Sequence, residues 1–261
     1  MDLVVLELKN ISCGYAKKVV LKNVSISIKQ GEILSLLGAN GIGKTTLLKT
    51  IVGFLKPYSG EILINGVNSL LLNDKQRASM LSYVPQSHTP PFPFNVFDVV
   101  LMGRTPRLGM FATPNREDRK IVYESMEKID VLHLKDRIYT ELSGGERQMV
   151  LIARALATQT NILIFDEPTS NLDFGNQARI LRQINTLAKD GFSIVMTTHN
   201  PEHVFQTNSN VVFIDNSKNI TFGSKNILNE ENLKSVYGID VEIANLKLKN
   251  NKEVSTCIPI L

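Results

Sequence analysis

The residues Gly38-Ala39-Asn40-Gly41-Ile42-Gly43-Lys44-Thr45 fit the spacing GxxxxGK[ST]. In that pattern glycines permit a tight turn and a close approach of the backbone, so that consecutive N–H groups can wrap phosphate oxygens. Lys44 brings a point charge to the outer phosphates, and the Thr45 hydroxyl can ligate Mg²⁺. Gly38, Asn40, Gly41, Gly43, Lys44, Thr45 and the following Thr46 are therefore candidates for holding the phosphates of a nucleotide. A second constellation is Ile162-Leu163-Ile164-Phe165-Asp166-Glu167, an apolar run ending in two carboxylates. Asp166 would hold the metal ion and its waters, and Glu167 would orient and deprotonate an attacking water. Alone, the pair could be exposed acids ending a strand; the phosphate loop upstream argues for chemistry. The third is Leu142-Ser143-Gly144-Gly145-Glu146, where Ser143 is placed to cap a helix that opens on two glycines. The helix N-terminus would make another anion site, although alone the motif also describes an ordinary capped helix. One nucleotide on one phosphate loop has no use for two such sites, unless the second serves a neighbouring subunit.

Stepping outward from these residues, the apolar run 32–37 reads as a buried strand leading directly into the loop, and 44–54 reads as the helix that leaves it. Residues 4–8 and 19–28 read as strands, as do 61–64 and 81–84, with a turn at 56–60. The stretch 87–94 is too rich in proline for any regular element and sets a subdomain boundary. From 96 to about 142 the pattern is helical, with apolar residues of 115–129 at helical spacing and charges opposite. Alternation then resumes: helix 145–157, strand 161–165, helix 174–189, strand 193–197, and strands near Val211 and Ile220. That order implies a parallel sheet with crossover helices. Residues 241–244 and 253–259 read as a terminal strand pair.

A chain of 261 residues with 43% hydrophobic residues can bury a full core as one large domain or a domain with an insertion. Its net charge of only +4 offers no massed basic stripe, so a nucleic-acid partner is not expected. Cys13 and Cys257 lie far apart without metal-ligand spacing, which argues against a disulfide scaffold or zinc site and suits a reducing compartment. The first residues lack a signal-peptide pattern and no apolar run is long enough to span a bilayer, so a partner would supply any membrane contact.

The ordered set of Gly38 to Thr45, Gln86, Leu142 to Glu146, Ile162 to Glu167, Ser170-Asn171-Leu172-Asp173 and His199 resembles the ABC ATPases over nearly the whole chain. The resemblance implies an α/β fold: a P-loop NTPase, RecA-like core with an antiparallel β-subdomain and an inserted helical subdomain. It divides the single domain 1–261 into a nucleotide-binding core, 1–86 and 143–261, and a helical subdomain, 87–142. It implies ATP and Mg²⁺ as cofactors, and a head-to-tail dimer in which each ATP lies between one subunit's phosphate loop and the other's Ser143, Gly144 and Gly145. Gln86 is similar to the residue that contacts Mg²⁺ and water and relays to the helical lobe, which makes Thr45, Gln86 and Asp166 the metal candidates. His199 resembles the residue that touches the γ-phosphate, Asp173 the residue that bridges subunits, and Tyr15 the residue whose ring stacks on adenine. The catalytic candidates are thus Glu167, His199, Gln86 and Lys44. Glu146 is a departure, since glutamine is commoner there, and it places an acid near the partner's nucleotide.

A narrower resemblance joins Pro91-Phe92-Pro93-Phe94-Asn95-Val96-Phe97 and the residues that follow, with the ending at 229–239, to importers of metal chelates such as iron-siderophore, haem and cobalamin, and to related molybdate systems. It implies a peripheral subunit on the cytoplasmic side, docked on permease subunits and served indirectly by a substrate-binding protein. The apolar residues after Gln86 could form a socket for the permease or simply pack under the helical lobe. A soluble, non-transport ABC ATPase is the rival reading, but the long coiled-coil or zinc inserts and tandem cassettes usual there are missing. A P-loop kinase would leave Ser143 to Glu146 and His199 unexplained.

Overall fold

The computed structural model describes residues 3–16, 18–86, 92–109, 112–249, 251 and 253–260. The first part of the expected irregular stretch, 87–91, lies outside them.

The chain opens with β1 (Val4–Tyr15) and β2 (Lys18–Lys29), then β3 (Ile33–Gly38), α1 (Lys44–Ile51), β4 (Ser59–Ile64), β5 (Val67–Asn68), α2 (Asp74–Ala78) and β6 (Leu81–Val84). Three helices follow: α3 (Val96–Leu101), α4 (Arg116–Lys128) and α5 (Gly144–Ala157). The rest is β7 (Ile162–Phe165), α6 (Phe174–Lys189), β8 (Ser193–Thr198), α7 (Glu202–Thr207), β9 (Asn210–Ile214), β10 (Ile220–Gly223), α8 (Glu230–Tyr237), β11 (Val241–Lys247) and β12 (Glu253–Pro259).

The central sheet has the order β10-β9-β3-β8-β7-β6. Its neighbours β9/β3, β3/β8, β8/β7 and β7/β6 are parallel, and β10 closes one edge antiparallel to β9. Every residue of β3, β7 and β8 is buried, as expected of strands covered on both faces, which is why they read as continuous apolar runs rather than alternating ones. Parallel strands also bring their C-terminal ends to one edge of the sheet. The loops that leave β3, β6, β7 and β8 carry the phosphate loop, Gln86, the Asp166-Glu167 pair and His199, so all four meet there.

A second sheet, β2-β1-β4-β5, is antiparallel. It packs on the first through a cluster that includes Leu6, Leu8 and Ile28 on one side, Leu34 and Leu36 on the other, and Leu47 and Leu48 of α1 between them. β1 runs well past the expected end near Leu8. The register shifts between Leu8 and Ile11, and Asn10 takes a positive φ of 50°, so a bulge interrupts the alternation on which the shorter reading relied. α1 ends earlier than expected, because Gly53 turns the chain at φ 86°.

On the opposite face of the central sheet, one continuous cluster joins Phe165 and Met196 to Val150 and Ala153 of α5, to Val99 and Val100 of α3, and to Val122 and Met126 of α4. α4 begins at a capping box, with Asn115 accepting from the Asp118 N–H and Asp118 accepting from the Asn115 N–H. The Arg104 guanidinium ties this stretch to the end of α5, bonding the Asp118 carboxylate at 2.9 Å and the Ala157 carbonyl at 2.7 Å. Of the apolar residues after Gln86, Val96, Phe97, Val99 and Val100 are buried in the lobe and Phe94 packs against it, whereas Phe92 remains exposed. The packing alternative therefore accounts for most of that segment. The terminal strand pair is present, longer than expected in its first strand, as an antiparallel hairpin of β11 and β12. The short helices α2, α7 and α8 have too few turns to establish a periodicity in sequence.

Phe165 is fully buried one residue before Asp166. Phe165→Ala is expected to lower unfolding free energy by about 3–5 kcal/mol and Phe165→Leu by less than about 1.5 kcal/mol, read from urea unfolding midpoints.

Candidate functional site

The phosphate loop turns from β3 into α1 over Gly38 to Lys44, and two of its glycines have specific reasons. A Cβ on Gly38 would come within 2.8 Å of the Ile214 carbonyl oxygen on β9. Gly43 has φ 126° and lies under Val20 of β2, whose Cγ1 would sit 2.7 Å from an added Cβ. Only glycine fits that conformation and that approach. Gly43 also occupies the cap position of α1, where no side chain accepts from the helix and no acidic residue lies in the first turn. The N–H groups of the first turn, at Lys44, Thr45 and Thr46, are thus left without a side-chain acceptor and carry the positive end of the helix dipole. Such a terminus suits an anion.

Lys44 is buried, at 4% relative exposure, and its ammonium donates to the carbonyls of Gly38 at 2.8 Å and Ala39 at 2.9 Å. Glu167 lies 3.8 Å away. Burial pulls the Lys44 ammonium below the ordinary lysine value, while Glu167 and then Asp166 push in the opposite direction. The two carboxylates hold a desolvated cation in place.

Asp166 is buried, and its Oδ1 accepts from Thr45 Oγ1 at 3.0 Å and Thr197 Oγ1 at 2.8 Å. Its Oδ2 accepts from the Tyr83 hydroxyl at 3.2 Å. Burial, with the Asp166 charge and hydrogen bond, holds the Tyr83 phenol well above the ordinary tyrosine range, so it stays a donor. Glu167 sits at φ 45°, a conformation costly for a non-glycine residue and frequent where a side chain is aimed for function. Its N–H donates to Thr197 Oγ1 at 2.8 Å, which fixes the turn. Its carboxylate meets Gln86 Nε2 at 3.5 Å and His199 Nδ1 at 3.4 Å through the same oxygen.

Lys44, Thr45, Gln86, Asp166, Glu167 and His199 therefore converge. Ser143, Gly144, Gly145 and Asp173 do not enter this hydrogen-bond network among the described residues. Ser143 caps α5, its Oγ accepting from the Glu146 N–H at 3.3 Å while Glu146 accepts from the Ser143 N–H at 2.8 Å. Hydrogen bonding to Ser143, aided by Arg137 at 3.5 Å, holds the Glu146 carboxyl below the usual range. Asp173 caps α6 through the Asn176 N–H at 2.9 Å and accepts from Asn176 Nδ2 at 2.6 Å. The Asn176 side chain also lies against Gly145, where an added Cβ would meet it at 2.4 Å. Ser143, Gly144 and Asp173 are exposed and Gly145 is buried beside them, so the four form a separate surface at the starts of α5 and α6. Asn40 and Gly41 are exposed on the loop, Thr46 is buried behind it, and Tyr15 is exposed at the end of β1. A cleft of about 750 Å³ between α6, α7 and the terminal hairpin includes Arg182, Asn185 and Lys189 and none of the site residues.

Comparison with known sequences follows this geometry. The profile of ABC transporters matches residues 21–170. An uncharacterised ABC transporter ATP-binding protein of Haemophilus influenzae is 39% identical over 254 residues, 97% of each chain. The chain belongs to the ABC transporter family. A protein of Helicobacter pylori described as a probable iron chelatin transport ATP-binding protein is 38% identical over 241 residues, 91% of this chain and 94% of the relative. A solved metal-chelate type ABC transporter in an inward-facing conformation superposes with a TM-score of 0.86 at 31% identity, covering 99% of this chain and 98% of that one. The chain is an ATP-binding subunit that hydrolyses ATP, and domains of this kind work as dimers with transmembrane permease subunits. Among the described residues of this ABC ATPase, no helix is long and apolar enough to cross a membrane.

Sequence reasoning missed Thr197, Tyr83 and His203. Thr197 and Tyr83 lie inside strands, where hydroxyls carry no motif; only strand adjacency brings them to Asp166. His203 is buried and shares a hydrogen bond of 2.8 Å with Thr198 Oγ1. Burial, reinforced by nearby His199, lowers its imidazole to about 4.

Thr197→Val removes the hydroxyl shared by Asp166 and Glu167 while keeping shape. ATP turnover is expected to fall roughly tenfold or more with an intact fold, measured by phosphate release and circular dichroism. For His203 the folded value of about 4 lies below the unfolded value near 6.5, so the unfolded chain binds the proton first. Its stabilising contribution is full above about pH 6.5 and is lost as pH falls toward about 4. His203→Asn should flatten that part of the stability profile relative to the unsubstituted chain in urea titrations between pH 4.5 and 7.

Proposed function

We propose that this ABC ATPase drives an importer for a metal chelate, of the iron-siderophore, haem or cobalamin kind. The observation that carries this reading is the full-length likeness both to the Helicobacter relative described for iron chelatin transport and to the metal-chelate type transporter structure. In this reading the subunit sits peripherally on the cytoplasmic side of the membrane, docked on permease subunits that take the chelate from a substrate-binding protein. The domain divides functionally into the nucleotide-binding core, 1–86 and 143–261, and the helical lobe, 87–142, which packs on α5.

The phosphates of ATP lie on the first turn of α1, with Lys44 released from the Gly38 and Ala39 carbonyls to the outer oxygens. Tyr15 stacks on the adenine ring, and Asn40 and Thr46 complete the loop's contacts. The donor set of Thr45, Asp166 and Gln86 suits Mg²⁺, a hard ion that takes oxygen ligands; among the described residues no three His, Cys, Asp or Glu side chains are arranged to hold a metal ion by themselves, so phosphate and water oxygens would fill the shell. When bound, that ion neutralises charge on the phosphates. Glu167 accepts the proton of the attacking water, oriented by the positive φ of its backbone and by the Thr197 hydroxyl. Gln86 and His199 share one Glu167 oxygen, which supports roles for them beside the attacking water and the γ-phosphate respectively. The Ser143, Gly144 and Gly145 N-terminus closes on the ATP of a second copy, with Asp173 bridging the two chains. Their separation from the Lys44 network supports a site completed in trans.

Glu167→Gln is expected to reduce kcat by about 10²–10⁴-fold while ATP still holds two chains together in size-exclusion chromatography. Wild-type turnover in that variant would remove Glu167 as the base. For the substrate, reconstitution with the permease in liposomes should give ATPase stimulated by a ferric siderophore, haem or cobalamin; no stimulation by any metal chelate would overturn the assignment.

A further inference from the structure

The ending at 229–239, singled out by sequence but given no chemistry there, packs against the back of the site. α8 is capped by Asn229, which accepts from the Asn232 N–H at 2.8 Å, and it stops at Gly238, in the left-handed region at φ 71°. Leu233 and Val236 enter a buried cluster with Leu37 and Val204, and Ala39 and Tyr237 pack at its margin. Leu37 and Ala39 flank Gly38 of the phosphate loop, while Val204 belongs to α7, which begins shortly after His199. Beside this cluster the Tyr237 hydroxyl donates to the His199 carbonyl at 2.7 Å. Burial keeps the Tyr237 phenol well above the ordinary tyrosine range, so it remains protonated.

The turn that carries His199 is also held from within: Thr198 Oγ1 donates to the Asn200 carbonyl at 3.3 Å, and the His203 N–H donates to the same carbonyl at 3.2 Å. The Asn200 N–H, which shares a peptide plane with the His199 carbonyl, donates to Thr198 Oγ1 at 3.0 Å, and the Glu202 N–H donates to Asn200 Oδ1 at 3.0 Å. The His199 side chain is 48% exposed, so packing does little to aim its ring. Its direction then depends on the peptide plane between His199 and Asn200, which Thr198 holds at the N–H and Tyr237 holds at the carbonyl. Glu202, on the same turn, accepts from Thr256 Oγ1 and the Cys257 N–H of β12, so the terminal hairpin supports the arrangement from a second side.

We propose that Tyr237 is a positioning residue for His199: its hydroxyl, anchored by α8, aims the imidazole toward Glu167 and the γ-phosphate. The proposal rests on the reading that His199 contacts the γ-phosphate, and the experiment separates the two. Tyr237→Phe keeps the ring and removes one hydrogen bond, a loss small enough for the chain to fold. In the full chain reconstituted with its permease, kcat is expected to fall about fivefold to tenfold with KM for ATP and the melting temperature nearly unchanged. His199→Ala should nearly abolish turnover, and adding Tyr237→Phe to it should not lower the residual rate further. If His199→Ala turns over at the wild-type rate, the role given to His199 falls, and the proposal with it. If His199→Ala is inactive but Tyr237→Phe retains wild-type kcat, only the positioning role falls. A further drop in the double variant, or a Tyr237→Phe defect that appears in KM and melting temperature instead of kcat, likewise overturns it.

Discussion

The Lys44 ammonium is the charge around which the site is arranged. A lysine this buried is stable only with compensation, and it finds two carbonyls of its own loop and the carboxylates of Asp166 and Glu167. Those partners come from two strands of one parallel sheet with β8 between them, so the ion pair is a consequence of topology. Thr197 on the intervening strand links the acids by donating to one and accepting from the backbone of the other. In the proposed mechanism, phosphate takes up the lysine and the same carboxylates serve a metal ion and a water. The site is preorganised by the sheet and needs little of its own flexibility.

The patch at the starts of α5 and α6 has a different construction. Ser143 and Glu146 satisfy one another's backbone N–H groups, and Asn176 joins Asp173 to Gly145. The Glu146 carboxylate is occupied by the capping box and by Arg137, which offsets part of its charge. Here small residues and caps create an anion-seeking surface with no buried cation. In the proposed function this surface receives the phosphate of a second copy's nucleotide.

Between these two regions, the helical stretch shares one hydrophobic cluster with the central sheet. Arg104, bridging Asp118 and the Ala157 carbonyl, is the polar counterpart of that packing. Such a close-packed body moves as a unit rather than deforming locally. The C-terminal elements brace the opposite side, where Tyr237 and Glu202 hold the turn of His199.

Much of the chemistry was legible along the chain, because the phosphate loop, the strand ending in Asp166-Glu167 and the Ser143 cap are local patterns whose physics is complete within a few residues. Helix 174–189 and the terminal strand pair were readable for the same reason, each having a periodicity long enough to repeat. β1 exceeded its reading because a bulge at Asn10 broke the alternation, and α2, α7 and α8 were too short to show one. Thr197, Tyr83, His203 and Tyr237 carry no local signal: a hydroxyl or an imidazole acquires a role only from what the fold places opposite it. The sequence by itself determined which groups can bind phosphate, metal and water, since those capacities reside in side chains and short turns. Only the tertiary structure decided which groups share one site and which form a second surface, because that depends on strand order in a parallel sheet, where residues far apart in the chain are brought within hydrogen-bond reach.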